Sequence, residues 1–482
     1  MKKSFLFCVT ALLLSATSCV DSLKDYNVDP KSATVVPGST LVAGAERRLV
    51  REITSTNVNA NPFRLYVQYW TETTYLDESN YDYETRTINR FIWQEMYVGV
   101  LSNLKEANKV IDADISLQPA VKANQKACAE ILSVYAWTVL VNTFGNVPYS
   151  EALDFAKPTP KYDDAAGIYA DLFKRLDTAL GAMDPTAAGL GSGDLIYAGN
   201  MPKWVKFGNS LKLRMALTVA DVDDATAKAK VAQAFGKTFA ANADDAKLAF
   251  TSAQPNTNPI YEDISPVFNR QDFVGTSFFI NQLNALNDPR LPYYFKPKPG
   301  VTPIAYVGGT AGNTSPYANF SAPGLALESP TLPGVLMTYS EVEFLLAEAA
   351  ARPGFTGVTG TAESHYNAAI TASIQSFGFS ATSAATYLAQ PGVAYTTAAG
   401  DYRQKIGTQK YYALYDNPVE TYKEVRRLDY PRIIAPASAI SAFPVRLPYP
   451  TTEKNLNTAS NSAAATAMGG DVVTSKIFWD KF

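Results

Sequence analysis

Residues 93–111 read WQEMYVGVLSNLKEANKVI, and this stretch decides the class of the fold. Its large apolar residues Trp93, Tyr97, Val100, Leu104 and Ile111 recur at intervals of three, four or seven positions. Because an α-helix has about 3.6 residues per turn, this spacing places all of them on one helix face. The stretch therefore predicts an amphipathic helix that packs through that face.

The same period recurs along the chain, and the predicted helices form consecutive antiparallel pairs similar to tetratricopeptide units. The predicted pairs are 84–113 with 118–143, 163–182 with 201–221, 339–351 with 361–377, and 401–415 with 417–428. Asn200 followed by Pro202 is typical of a helix start. The repeat consensus is too degraded to identify from the pattern alone. The sequence therefore predicts a mainly α fold whose helix pairs form a wall.

Residues 251–335 interrupt this pattern with many Pro, Gly and Asn residues and scattered aromatics, and contain one predicted helix from Thr276 to Leu286. Long irregular segments in compact proteins are usually functional or disordered. The aromatic residues argue against disorder. We therefore expect a long, loop-rich segment that packs on the helical wall and faces the ligand.

The composition of the 482-residue chain excludes several classes of function. The chain has 42 Lys and Arg residues and 45 Asp and Glu residues. It therefore lacks the excess of positive charge that is typical of nucleic-acid-binding proteins. The single histidine, His365, excludes metal sites built on two or three histidines, and we expect it at the surface or at a helix cap. No cofactor is indicated. The pairs Arg47-Arg48 and Arg426-Arg427 lie on predicted helices and are expected to form surface salt bridges rather than anion sites.

The first residues have the composition of an export signal. Lys2 and Lys3 precede an apolar run at 5–14 that is too short to span a bilayer, and small residues then lead to Cys19. These features predict a signal peptide over 1–18, lipid attachment at Cys19, a leader over 19–40 and a single helical domain over 41–482. Acyl chains hold a protein at a membrane without a spanning helix. The alternative is an ordinary cleaved signal with an incidental cysteine.

Several strings along the chain match one family in its order. They are NTFGNVPYSEAL at 142–153, WVKFGNSLKLR at 204–214, NDPRL at 287–291, MTYSEV at 337–342, QKY at 409–411, RRLDYP at 426–431 and RLPYP at 446–450. With the Cys19 region they cover essentially the whole mature chain, which resembles the SusD/RagB-like outer-membrane lipoproteins. Tyr411 departs from the family's usual Trp, and Ala16 replaces the commoner Leu before the lipidated cysteine.

The resemblance implies a helical fold with tetratricopeptide-like units, anchored by lipid on the outer face of the cell outer membrane. It implies a protein that captures a ligand for a SusC-like TonB-dependent transporter, and that binds and delivers without being an enzyme. The implied ligand is a glycan oligomer or, in some members, a peptide. A glycoside hydrolase that uses two carboxylates on a helical scaffold is the alternative from another class. A protein that only stabilises the transporter is a third.

Glycan capture needs flat aromatic faces beside a few placed polar groups. The candidate ligand-binding residues lie in two segments: Tyr75, Asp77, Asn80, Tyr81 and Tyr83 in the first, and Tyr306, Asn313, Tyr317 and Phe320 in the second. The alternative is that these aromatics pack loops onto the helical wall. The first segment also contains three acidic residues, Asp77, Glu78 and Asp82. They could form a catalytic carboxylate pair, a calcium cluster or simply a solvated loop.

Overall fold

The apolar stripe of residues 93–111 lies buried on a continuous helical segment of the computed structural model, which describes residues 36–482. The α-helices are α1 (Gly38–Thr54), α2 (Phe63–Tyr66), α3 (Ile88–Gln94), α4 (Ser102–Ala113), α5 (Pro119–Phe144), α6 (Ala165–Ala182), α7 (Met201–Thr218), α8 (Asp224–Ala234), α9 (Pro259–Ile264), α10 (Ser277–Ala285), α11 (Leu291–Tyr294), α12 (Tyr339–Ala351), α13 (Ala362–Ser376), α14 (Ala381–Leu388), α15 (Tyr402–Ala413), α16 (Pro418–Leu428), α17 (Thr451–Leu456) and α18 (Thr458–Ala467). Between α3 and α4, Glu95–Leu101 continues the helix in π-helical form. The prediction of a mainly α fold is confirmed.

Short strands join distant parts of the chain. They are β1 (Trp70–Glu72), β2 (Val147–Pro148), β3 (Tyr162–Asp163), β4 (Ala246–Leu248), β5 (Phe273–Gly275) and β6 (Gly334–Met337). They form three antiparallel pairs, β1 with β5, β2 with β3, and β4 with β6. Two of these pairs connect the irregular middle of the chain to the earlier helical part.

The predicted helix pairs are present in the structure. Helix α4 packs against α5, α6 against α7, α12 against α13, and α15 against α16. The predicted start of α7 is also observed, since the Asn200 side chain accepts a hydrogen bond from the Lys203 amide at 3.2 Å and Pro202 lies in the first turn. Helix α1 packs against α4, and α8 against α7, which extends the wall beyond the predicted pairs.

Aromatic side chains fasten the irregular middle segment to the wall. Phe279 of α10 and Tyr294 of α11 both stack on Tyr415, with ring centroids 5.8 and 4.1 Å away. Helix α10 begins at Ser277 with Thr276 as its N-cap, which agrees with the helix predicted within this segment. The loop-rich segment is therefore packed on the helical wall.

Helix α5 runs through the centre of the fold and is buried along most of its length. Among residues 36–482 it is the one helix that is long and apolar enough to cross a membrane by those two criteria. Because 89% of its most apolar window is buried inside the protein, it has the environment of a core helix.

The predicted signal peptide, Cys19 and residues 19–35 of the leader lie outside the described residues. Helix α1 begins at Gly38, slightly before the predicted start of the helical domain at residue 41. Residues Gly38–Phe482 form one compact unit.

Candidate functional site

Charged residues in the strings that carry the family resemblance lie in buried ion pairs. Arg214 donates to both carboxylate oxygens of Glu341, at 2.6 Å each. Arg290 donates to both oxygens of Asp288, at 2.8 and 2.6 Å. All four side chains are buried, and such bidentate pairs are strongly directional. These two pairs therefore hold helices and loops of the fold together.

The expectation that Arg426 and Arg427 form surface salt bridges is wrong. Their exposed fractions are 5% and 1%. Arg426 donates to backbone carbonyls, including that of Val445 at 2.7 Å, and Arg427 lies between the carboxylates of Glu348 and Glu424. Burial alone would raise the pKa of Glu424, but Arg427 and two lysines hold that pKa well below its ordinary value. Both arginines are part of the interior because each finds partners there.

The first candidate segment leaves the body of the protein at the end of β1. Strand β1 pairs with β5 so that Trp70 lies opposite Gly275 and Glu72 opposite Phe273. The chain then turns outward at Tyr75, which has a positive φ of 53°. This long-range strand pair places the first segment beside the irregular middle of the chain.

The second candidate segment lies directly against the first. The Asn80 side chain donates to the Gly312 carbonyl at 3.0 Å, and the Gly312 amide donates to the Thr71 hydroxyl at 3.2 Å. The Ser315 amide donates to the Thr73 carbonyl at 3.2 Å. The fold therefore brings together two segments that are more than two hundred residues apart in the chain.

A cleft with a volume of about 380 Å³ opens beside this junction, and we call it the Tyr75 cleft. Its lining consists of Thr56, Asn57, Val58, Asn59, Glu72, Thr74, Tyr75, Arg86, Asp263, Arg270, Asp272 and Phe273. The Tyr75 side chain is 78% exposed, so one aromatic ring stands free among amides, carboxyls and guanidinium groups. A lining of this kind can stack on an apolar face and hydrogen-bond several hydroxyls at once.

The two arginines of the Tyr75 cleft are paired with acids. Arg86 Nε lies 3.0 Å from Glu78 Oε1, and Arg86 Nη2 lies 3.6 Å from Asp77 Oδ2. Arg270 Nε lies 2.7 Å from Asp272 Oδ2. The cleft therefore presents directional polar groups with little net charge, which suits a neutral polar ligand.

Two carboxyl groups in the cleft wall are buried. Burial and, next, the neighbouring Glu78 raise the pKa of Glu72, whose Oε2 accepts from the Ser79 amide at 3.0 Å. Burial also raises the pKa of Asp263 to about 6, although the Thr56 hydroxyl donates to it at 3.0 Å. Burial beside Glu78 therefore favours the protonated form of Glu72. Within residues 36–482, no group of three or more His, Cys, Asp or Glu is placed to hold a metal ion.

The candidates of the first segment have different environments. Tyr75 lines the cleft, and Asp77 is half-buried behind it beside Arg86. Tyr81 is 0% exposed and its hydroxyl accepts from the Gln68 amide at 3.3 Å, so its ring packs the loop against the core. Tyr83 is half-buried against the same core. Tyr81 is therefore a core residue of this loop and does not line the cleft.

The candidates of the second segment lie next to the cleft rather than in its lining. Tyr306 and Phe320 are half-buried, and Asn313 is exposed. Tyr317 lines a narrow crevice that shares Arg270, Asp272 and Phe273 with the Tyr75 cleft. The crevice places Tyr317 behind the cleft wall.

Most of the cleft lining is absent from the candidates taken from the sequence. Two local signals point to parts of it: the run NVNAN at 57–61 between two helices, and the charged run 270–272 in a weakly charged segment. No comparable signal marks Glu72, Arg86 or Asp263. The missed polar residues are Thr56, Asn57, Asn59, Glu72, Thr74, Arg86, Asp263, Arg270 and Asp272.

Comparisons with known proteins agree with the helical fold of this chain. A family model described as "Starch-binding associating with outer membrane" matches residues 30–450. The chain therefore belongs to the SusD-like family, and the resemblance noted from the sequence is confirmed. A search of curated proteins finds no match.

Solved structures of the family superpose on almost the whole chain. A chitin-binding protein is 27% identical with a TM-score of 0.79, covering 92% of this chain and 100% of that one. A SusD homolog from Bacteroides uniformis is 25% identical with a TM-score of 0.77, covering 92% and 99%. A chitin-binding SusD homolog from Flavobacterium johnsoniae has the same fold at 24% identity, with a TM-score of 0.77 and coverage of 92% and 98%.

Proposed function

We propose that this protein captures an oligosaccharide in the Tyr75 cleft and passes it to a SusC-like TonB-dependent transporter in the outer membrane. The observation that carries the proposal is the 78% exposed ring of Tyr75 beside the amides, carboxyls and guanidinium groups of the cleft. Membership of a family described as starch-binding supports a glycan as the ligand. The similarity to a chitin-binding protein at 27% identity supports the same class.

The chemistry of the cleft suits a sugar ring. The C–H face of a pyranose packs on the Tyr75 ring, while hydroxyl groups exchange hydrogen bonds with Asn57, Asn59 and Arg86. Because Arg86 and Arg270 are already paired with acids, their orientation is fixed before a ligand arrives.

Calorimetric titration with panels of oligosaccharides and peptides tests this role. We expect one class of oligosaccharide to bind and the Tyr75→Ala variant to bind it more weakly. Binding of a peptide alone would favour a peptide-capturing member of the family. Absence of binding to both panels, together with normal growth of a deletion strain on every substrate, would contradict capture.

The membrane anchor and the transporter belong to the same proposal. A lipid on Cys19 would hold the protein at the cell outer membrane, where its family associates. Metabolic labelling with palmitate should mark the wild type and not the Cys19→Ser variant. Affinity purification from the native membrane should recover the transporter as a partner, and its absence would contradict delivery.

A glycoside hydrolase is the second candidate, and the observation that favours it is the raised pKa of Glu72 in the cleft wall. A general acid of this kind needs a second carboxylate across the scissile bond. The carboxyls of Glu72 and Asp263 are instead hydrogen-bonded to Ser79 and Thr56 of the protein itself. We therefore favour binding. Chromatography of the ligand after long incubation decides between them, since cleavage that is lost in the Glu72→Gln variant would establish the enzyme.

A further inference from the structure

A second cleft, with a volume of about 560 Å³, lies beside the Tyr75 cleft along helix α1. Arg47, Arg48 and Arg51 line it together with Glu52 and Glu95, and we call it the arginine cleft. On α1, Arg51 lies four positions after Arg47 and three after Arg48, so its side chain neighbours both of them on the helix surface. Three guanidinium groups within a single cleft form an arrangement that anionic groups bind readily.

The arginines of this cleft are only partly neutralised by neighbouring acids. Arg48 Nη1 donates to both oxygens of Glu95, at 2.9 and 3.1 Å, and the Arg48 side chain is still 55% exposed. Arg51 is paired with Glu262. Arg47 lines the cleft, and within residues 36–482 no carboxylate lies at ion-pair distance from it. The cleft therefore keeps a positive excess.

Glu52 adds an unpartnered polar atom to the same cleft. Its exposed fraction is 8%, and Oε1 has no hydrogen-bond partner among the described residues. Burial and, next, the proximity of Glu95 raise the pKa of Glu52 to about 8. At neutral pH Glu52 is therefore largely protonated and removes little of the positive charge.

The two clefts adjoin at Asn57. Asn57 lines both of them, and it lies in the short connection that follows α1. Arg51 of the arginine cleft pairs with Glu262, whose neighbour in the chain, Asp263, lines the Tyr75 cleft. Asn57 therefore marks the point where an extended ligand on the Tyr75 ring comes nearest to the arginine cleft.

We propose that the two clefts form one groove for an oligosaccharide that carries carboxylate or sulfate groups, with the anionic groups at Arg47 and Arg48 and a neighbouring ring on Tyr75. This inference rests on the proposed glycan capture and specifies its substrate class. Guanidinium groups bind carboxylate and sulfate through paired, charge-assisted N–H donors, which form stronger bonds than those to a neutral hydroxyl. The selective part of the groove is therefore the arginine cleft.

Matched ligands separate the contribution of charge from that of the sugar backbone. Oligogalacturonate is compared with its methyl ester, a sulfated galactan oligosaccharide with its desulfated form, and a chitin oligosaccharide serves as a neutral reference. The variants are Arg47→Gln/Arg48→Gln, the charge-retaining Arg47→Lys/Arg48→Lys, and Tyr75→Ala. Lys109→Gln/Arg432→Gln removes the same charge from exposed positions outside both clefts.

We expect calorimetry to show at least one acid bound about tenfold or more tightly than its neutral counterpart, with an affinity that falls as salt is added. Arg47→Gln/Arg48→Gln should abolish this preference, the lysine variant should keep part of it, and the control variant should keep all of it. Tyr75→Ala should weaken binding of the acid as well, because both clefts hold one ligand. Thermal unfolding of each variant verifies that it is folded.

Equal affinity for acidic and neutral partners, or a preference that survives Arg47→Gln/Arg48→Gln, would overturn this inference while glycan capture at Tyr75 stands. If the preference for the acidic ligand depends on the arginines but its affinity is unchanged by Tyr75→Ala, the two clefts do not hold one ligand. That result would contradict the single groove. If no oligosaccharide of either kind binds, the proposed capture itself fails.

Discussion

Arg214 and Glu341 form a bidentate ion pair in the interior, with both hydrogen bonds at 2.6 Å and both side chains buried. The pair joins helix α7 to helix α12. Glu341→Gln should lower the free energy of unfolding by about 3 kcal/mol, because a buried guanidinium then loses its main counter-charge. Urea-induced unfolding of the purified protein measures this change.

An exposed pair provides the control. Lys109 and Glu106 lie 3.3 Å apart on α4, with both side chains more than half exposed. Glu106→Gln should change the free energy of unfolding by less than about 1 kcal/mol, since solvent screens such pairs. Equal effects at Glu341 and Glu106 would show that the buried pair does not hold the helices together.

Tyr75 and Tyr81 are close in the chain and should respond to substitution in opposite ways. Tyr75→Ala should weaken oligosaccharide binding at least about fivefold and leave stability almost unchanged, because the ring is 78% exposed. Tyr81→Ala should cost about 3–5 kcal/mol of stability, because its ring is fully buried. Calorimetry and urea unfolding of both variants give the comparison. Loss of binding in a stable Tyr81→Ala protein would contradict these assignments.

The buried carboxyl of Glu52 should make stability depend on pH. Its pKa is raised to about 8 in the folded protein, mainly by burial, so the folded state holds the proton more tightly than the unfolded state does. The stability that the proton on Glu52 contributes is complete when the pH is below the pKa of Glu52 in the unfolded chain. It is lost as the pH rises through about 8, the pKa of Glu52 in the folded protein. Between pH 5 and 9 the wild type should lose roughly 1–4 kcal/mol relative to Glu52→Gln. Parallel stability curves for the two proteins would contradict a buried, protonated Glu52.

His365 should titrate above its ordinary range. Burial alone would lower its pKa, but a hydrogen bond of 2.6 Å with Glu343 and one of 2.9 Å with the Thr359 carbonyl raise it above 6.5. The stabilisation it provides is complete below the unfolded pKa and disappears as pH rises through the folded pKa. Because the chain has a single histidine, its imidazole signals in an NMR titration need no assignment by mutation. Glu343→Gln should lower the measured pKa, and an unchanged value would rule out this pairing.

The helical part of the fold could be predicted because each helix carries a local pattern. The stripe from Trp93 to Ile111 and the cap at Asn200 are both encoded within a few turns of the chain. The family strings could be read in the same way. Helix α18, by contrast, is made of Thr, Ala, Ser and Asn and has no apolar stripe from which a helix could be predicted.

The candidate site could be predicted only in part, because its walls come from distant segments. The register of β1 with β5 brings Glu72 next to Phe273, and no local pattern encodes that pairing. Tyr75 and Tyr81 look alike in sequence, yet one is exposed and the other buried. Arg426 and Arg427 looked like surface residues because arginines are mostly exposed, whereas here the interior supplies carbonyl and carboxylate partners.

A crystal structure of the protein with an oligosaccharide that binds in solution is the most direct measurement of the central claim. Capture in the Tyr75 cleft predicts a sugar ring stacked on Tyr75, with hydroxyl groups within hydrogen-bond distance of Asn57 or Arg86. A ligand bound elsewhere, for example in the groove formed by Lys126, Glu130 and Arg175 between α5 and α6, with the Tyr75 ring free, would contradict the claim.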